Sequence, residues 1–248
     1  VLRTCLSSVV RDAPAKVVVA DNGSRDGSVE MIERDFPSVE LTVDPNNPGY
    51  GAGANRGIAR CDGDVLLLNS DTVVAPGTLL ALAAYLGAHP GAGVVGPRLI
   101  NSDGTLQNST FRFPSPLRPP LRRAPLTAVV RRVPLLRERC LATWSHTRAR
   151  RVPYVMGAAL AIRREAFDAV GGFDQSFFMY AEEVDLCWRM RAAGWQTHFA
   201  PVADVVHLGR ASTAQWRAAM LEQSVRSSLE FYRRHYSGIG LATALLTM

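Results

Sequence analysis

The sequence predicts an α/β domain, a mainly parallel central sheet flanked by helices. Three observations predict it. Strand and helix patterns alternate from Lys16 to Pro90; the strands are continuous apolar runs; and acidic residues stand where two of them end. Continuous apolar strands belong to sheets covered on both faces, and repeated strand–helix units connect parallel strands. Ligands of such sheets bind outside the carboxyl ends of the strands.

The elements follow in order. Leu2, Leu6 and Val9 recur at helical spacing and form the core face of an opening helix. No strand precedes it, so the sheet is expected to lack its usual first strand. Lys16 to Ala20 is a β-branched strand ending in the turn Asp21-Asn22-Gly23-Ser24, and a helix follows from about Gly27 to Asp35. Val39 to Val43 alternates as a strand. After a Pro/Asn/Gly loop, a helix is expected from about Gly51 to Arg60. Asp64 to Leu68 is a third strand, ending at Asn69-Ser70-Asp71, and Pro76 opens the next helix where a missing N–H costs nothing.

From Asn101 to Pro153 proline and arginine dominate, which reads as an insertion. Order resumes at Val155 to Arg163. A helix near Glu165–Val170, a second from about Glu183 to Ala193, strand-like Val205-Val206-His207 and an amphipathic helix from about Ala214 to Tyr236 complete the pattern. The expected divisions are therefore 1–100, 101–153, 154–236 and an apolar tail, 237–248.

Composition narrows the class. A chain of 248 residues with 47% hydrophobic and 20% charged residues can bury a substantial core and is neither disordered nor fibrous. Four scattered cysteines (Cys5, Cys61, Cys140, Cys187) form no zinc or redox motif and read as free thiols of a reducing cytoplasm. No apolar run reaches the roughly 18 residues of a membrane span. The net charge of +6 is concentrated between Arg112 and Arg151, where Glu138 is the only acid. Such a block suits a phospholipid surface or a lipid diphosphate, or is a solvated loop. Nucleic acid is disfavoured because stacking aromatics are not interleaved with the arginines.

Four constellations could carry chemistry. Asp71, just past an apolar strand with Asn69 two residues before it, can hold a hard divalent cation against a diphosphate, or can cap the next segment. The run Gly49-Tyr50-Gly51-Ala52-Gly53-Ala54-Asn55-Arg56-Gly57 lies at a strand–helix junction, where glycines let amides approach phosphate. As a dinucleotide fingerprint it is imperfect, yet it keeps a nicotinamide-dependent oxidoreductase as a rival. Arg56 pairs with a phosphate or with solvent. In Tyr180-Ala181-Glu182-Glu183-Val184-Asp185-Leu186, helical spacing puts Glu183 on one face with Leu186, Cys187 and Met190, and Glu182, Asp185 and Arg189 on another. Glu183 on an apolar face is a candidate general base or a cap of the helix start; the second face reads as a surface ion-pair face. His207 precedes Leu208-Gly209-Arg210-Ala211-Ser212, a candidate phosphate-contacting loop.

Taken together, Ala20 to Ser28, Asn69-Ser70-Asp71, the Phe177-to-Arg189 segment and Val206-His207-Leu208-Gly209 resemble, in order and over nearly the whole chain, family 2 glycosyltransferases of the GT-A fold. The likeness is greatest to bacterial rhamnosyltransferases that act on lipid-diphosphate acceptors. The resemblance implies that Asp21 contacts the donor's base, with Asn22, Ser24, Gly53, Asn55, Arg56, Asn69, Ser70 and Arg210 lining the nucleotide-sugar site. It implies that Asp71 is the last acid of the family's DxD metal motif, with Asn69 in place of the first, and that His207 is a further ligand of Mg2+ or Mn2+. Glu183 falls at the catalytic base, usually an aspartate, with Glu182 beside it and Asp185 in support. The implied reaction is inverting transfer of a sugar, L-rhamnose being favoured, from a dTDP- or UDP-linked donor to a lipid-linked or polysaccharide acceptor. The implied place is the cytoplasm, in peripheral contact with the inner membrane face. A non-catalytic relative is the remaining alternative.

Overall fold

A computed structural model describes residues 1–12, 16–115, 140–141, 144–209 and 217–247. It opens on helix α1 (Leu2–Asp12), as the sequence predicts, with Cys5, Leu6, Ser8 and Val9 buried. The alternating half continues through β1 (Val18–Asp21), α2 (Ser28–Asp35), β2 (Glu40–Val43), α3 (Tyr50–Ile58), β3 (Val65–Leu68), β4 (Thr72–Val74) and α4 (Thr78–Ala88). Pro76 stands before Gly77, the residue that caps α4 in a left-handed conformation, so it shapes the turn rather than the first helical position.

Two long strands build the centre, β5 (Ala92–Ile100) and β11 (Gln196–His207). Neither its glycines and proline nor its place after a helix marks β5 as a strand by propensity. Gly96 is required there because a side chain would press on Val155, whose atoms lie 2.8 Å from where a Cβ would stand. Short strands β6 (Leu106–Gln107), β7 (Thr110–Phe111), β8 (Arg150–Val152) and β9 (Tyr154–Val155) fall in or beside the stretch read as an insertion, and β10 (Ala159–Ile162) follows.

The central sheet runs β3-β10-β5-β11-β4, with β6 on β5 and β8 on β11; β1 pairs β2 in a separate parallel ribbon. The expectation of a mainly parallel sheet is therefore corrected. Among the described residues only β5–β11 and β1–β2 pair in parallel, and β10 is antiparallel to both its neighbours. The cause is insertion. β3 and β5 run the same way, as strand–helix alternation requires, but β10 arrives later in the chain and separates them.

Helices α5 (Arg164–Ala169), α6 (Glu182–Ala192), α7 (Arg217–His235) and α8 (Gly238–Thr247) complete the described residues. The inner face of α6 sends Leu186, Cys187 and Met190 into the main core with Val94, Leu160 and Phe199. Burying a side chain such as Leu186 contributes about 1.5–3 kcal/mol, so the start of α6 is fixed by its own apolar face. No described helix is long and apolar enough to cross a membrane. Cys5, Cys61 and Cys187 are free thiols.

Candidate active site

Asp71 and His207 meet because of sheet register. β11 carries an irregularity between Phe199 and Asp204, around Pro201, which cannot donate to a ladder. Beyond it the strand pairs with β4, with His207 opposite Thr72. That register sets His207 Nε2 at 3.3 Å from Asp71 Oδ1, and Leu208 donates its N–H to the Asp71 carbonyl at 2.9 Å. His207 Nδ1 lies 2.8 Å from Gln107 Oε1. An imidazole N–H donated to Gln107 leaves Nε2 facing the carboxylate. It then either carries a second proton and pairs with Asp71, or offers a lone pair to a cation between them. The hydrogen bond from His207 holds the Asp71 carboxyl below its ordinary range. Among the described residues no third His, Cys, Asp or Glu joins the pair. One carboxylate and one imidazole suit a divalent ion that keeps positions for phosphate and water.

On the other side of Tyr50 the acidic run is differently built. Tyr180 and Ala181 both have positive φ, 68° and 67°, and α6 begins directly after them. Glu182 is buried and its Oε2 has no hydrogen-bond partner. Burial, then the charge of Glu183, pushes the Glu182 carboxyl up to about 8. Glu183 lies against Gly157, its Cγ 3.5 Å from where a Cβ on that glycine would be. Burial raises the Glu183 carboxyl too, while amide hydrogen bonds, including that of Gly157, act the other way.

The expected surface face of α6 is a correction. Asp185 is 1% exposed, accepting from Arg189 at 2.7 Å and lying 2.8 Å from His235 Nε2. Periodicity divides a helix into faces but does not say how many are covered. Here α7 covers the second, with Phe231 set edge-on and His235 tilted against Trp188.

Helix α3 joins the two sides. The Tyr50 hydroxyl donates to Asn69 Oδ1 at 3.1 Å and lies 3.3 Å from the Gly157 carbonyl. Burial and the charges of Glu182, Glu183 and Asp71 all raise its pKa, so Tyr50 stands neutral among three carboxylates. Sequence reasoning passed over Tyr50 and Gln107. Tyr50 was signalled only as the one aromatic residue inside a glycine-rich run.

That run is packed against its neighbours within the protein. The Tyr50 N–H at the start of α3 donates to the Phe178 carbonyl at 2.8 Å, and a Cβ on Gly49 would overlap that carbonyl. Gly51 faces Phe173 and Glu182, Gly53 leaves room for the Asn22 amide and Gly57 for Ala20. These glycines let backbone pack closely on the site's walls. Asn55 and Arg56, expected as donor contacts, are likewise hydrogen-bonded inside the protein. Asn55 exchanges two hydrogen bonds with the Phe173 backbone, at 2.8 and 2.9 Å. Arg56 donates to the Asp21 carbonyl at 2.7 Å and to Asn22 Oδ1 at 3.0 Å, tying β1 to α3.

Asp21 ends β1 with Oδ1 accepting the Gly23 and Ser24 amides, both at 2.8 Å, so its carboxylate is held at the strand's carboxyl end. Asn22 donates to the Gly49 carbonyl at 2.9 Å. Ser24 and Ser70 are exposed. Arg210 lies outside the described residues.

A mixed sheet with acids at its strand ends and an acidic helix start beside them is the framework of a GT-A glycosyltransferase. Solved structures show the same fold. A Pyrobaculum calidifontis mannosyltransferase in complex with GDP-Man and Mn2+ matches 99% of this chain and 64% of its own, with a TM-score of 0.61 and 19% identity. S. aureus TarS in complex with UDP matches 83% of this chain and 56% of its own, with a TM-score of 0.53 and 17% identity. The chain belongs to glycosyltransferase-like family 2, whose sequence pattern matches residues 1–229. It is 33% identical over 251 residues to the N-acetylglucosaminyl-diphospho-decaprenol L-rhamnosyltransferase of Mycobacterium tuberculosis, covering 93% of this chain and 78% of that protein. It is 30% identical to the pre-mycofactocin glycosyltransferase of the same organism, covering 82% of this chain but 39% of that longer protein. Family membership removes the oxidoreductase rival.

Proposed function

We propose that this chain is an inverting hexosyltransferase. It moves a sugar, L-rhamnose first among candidates, from a dTDP- or UDP-linked donor to a lipid-diphosphate or cell-envelope polysaccharide acceptor. The observation that carries this reading is the placement of two unlike acidic groups around Tyr50, Asp71 with its carboxyl held low beside His207 and the pair Glu182–Glu183 with both carboxyls raised. The rhamnosyltransferase relative supports the donor and acceptor classes.

Asp71 and His207 would hold Mg2+ or Mn2+, which supplies positive charge for the diphosphate leaving group when bound. Asp21 faces the nucleotide from the end of β1, and Arg56 and Asn22 keep that strand end in place. Glu183 accepts the proton of the acceptor hydroxyl as its oxygen bonds to the anomeric carbon. The bond from that carbon to the diphosphate breaks, and its electron pair leaves with the diphosphate. Asp185 supports the helix start that carries Glu183. The arginine-rich stretch, read as an insertion, suits peripheral contact with the inner face of the cell membrane.

The test is a panel of nucleotide sugars with Mg2+ or Mn2+, read by release of nucleoside diphosphate and by thermal stabilisation. Stabilisation by a pyrimidine nucleotide only when metal is present is expected. No stabilisation and no release by any member of the panel would overturn the reading.

A further inference from the structure

The turn that aims the acidic pair is strained. Tyr180 and Ala181 occupy the left-handed region in succession, and neither is glycine. Such a backbone persists only where its surroundings over-determine it. Upstream, the Phe178 carbonyl is held by the Tyr50 N–H of α3. The next carbonyl, of Met179, accepts the Ser227 hydroxyl at 2.7 Å, and Ser227 is 2% exposed. Downstream, the Ala181 carbonyl accepts the Asp185 N–H at 2.8 Å, and the Asp185 carboxylate is gripped by His235.

Ser227 and His235 both belong to α7, and Phe231 lies midway between them. Spacing of four residues puts all three on one face of that helix. Phe231 is fully buried with Phe177 and Val184, which flank the turn on either side. Helix α7 thus meets the strained segment at three successive points: a hydroxyl, a ring and an imidazole. Gln223, one turn earlier, donates to the Ser227 oxygen at 3.1 Å and directs its proton to Met179.

We infer that Ser227 and His235 are positioning residues that hold the Met179–Ala181 turn, and with it Glu182 and Glu183, in the orientation transfer requires. The inference rests on the glycosyltransferase reading only for its kinetic arm. Neither side chain touches a reacting group; each acts through the backbone or through Asp185.

The test compares Ser227→Ala, His235→Leu and His235→Gln with the wild-type chain. Amide hydrogen exchange over residues 179–185 is measured first, because it needs no substrate. Ser227→Ala and His235→Leu are expected to speed exchange there without speeding it in β5 or β10. His235→Gln, which keeps an N–H at similar reach, is expected to restore protection. In transfer assays the first two variants should lose about 10- to 100-fold in kcat, the scale set by misplacing a catalytic group. The KM for donor should change less than about twofold, because donor contacts are untouched. Unchanged exchange at 179–185, or a kcat equal to wild type, overturns the inference. A wild-type chain that transfers no sugar overturns the functional reading instead, and the exchange result still decides the role of α7.

Discussion

The two acidic groups around Tyr50 are opposites. Asp71 has a hydrogen-bonding partner, His207, within reach, and that partner lowers its pKa. Glu182 and Glu183 have each other and a low-dielectric wall, and both are raised. The first arrangement keeps a negative charge in place across ordinary pH. The second makes a carboxyl whose proton comes and goes near neutrality. Environment alone separates the two roles, since all three side chains carry the same functional group. If this comparison is right, removing a charge should do different things on the two sides.

The largest effect is expected from Glu183→Gln. The amide keeps the shape but accepts no proton, so turnover should fall by about 10²- to 10⁴-fold. Nucleotide binding should persist, measured by metal-dependent thermal stabilisation. Loss of binding along with turnover would place Glu183 in the donor site and dissolve the contrast.

Asp71→Asn should reverse that pattern. Its neutral amide is a weak ligand for a hard cation, so the added stability from nucleotide plus Mn2+ should disappear while stability without ligand changes little. The check is a pair of melting curves, with and without metal. A variant still stabilised by Mn2+ and nucleotide to the wild-type extent would move the cation away from Asp71.

Gly49→Ala tests the link between the sides. The added methyl would overlap the Phe178 carbonyl, at a φ of 95° that side chains rarely adopt. Global stability should fall by about 1–3 kcal/mol, measured by denaturant unfolding. A glycine kept instead for phosphate contact would give wild-type stability and weakened nucleotide binding.

How far the sequence reached follows the same division. Apolar runs closed by acids located β1 and β3 and put Asp21 and Asp71 at their ends, because burial on both faces leaves a continuous pattern. The helix at Glu182 was legible from Leu186, Cys187 and Met190 in the same way. β5 was not, since Gly93, Gly96 and Pro97 oppose strand propensity and are tolerated only for packing against neighbours such as Val155. Most of β11 was hidden by Pro201 at its irregular segment. The burial of Asp185 depends on α7, whose His235 lies 50 residues away in the chain, and no local period reports it. The glycines of α3 read two ways for a related reason. Close backbone approach to Asn22, Phe173 and Phe178 leaves the same mark in a sequence as close approach to a phosphate.

The smallest expected effect is the most direct measure of the comparison. Glu182 has its pKa raised from an ordinary 4.5 to about 8, so the folded chain binds its proton more tightly than the unfolded chain does. Its contribution to stability is complete below the ordinary value and is lost as pH rises through about 8. Glu182→Gln, which is permanently neutral, should therefore melt close to wild type at pH 5 and a few degrees above it at pH 9. Asp71 has the opposite sign: its depressed carboxyl stabilises the fold above its ordinary range, and that contribution is lost only as pH falls through its lowered value. Asp71→Asn should consequently show no gain in melting temperature at pH 9. Equal behaviour of the two variants between pH 5 and 9 would show that Glu182 is ionised in the folded chain, its unpartnered oxygen reached by a cation or by water.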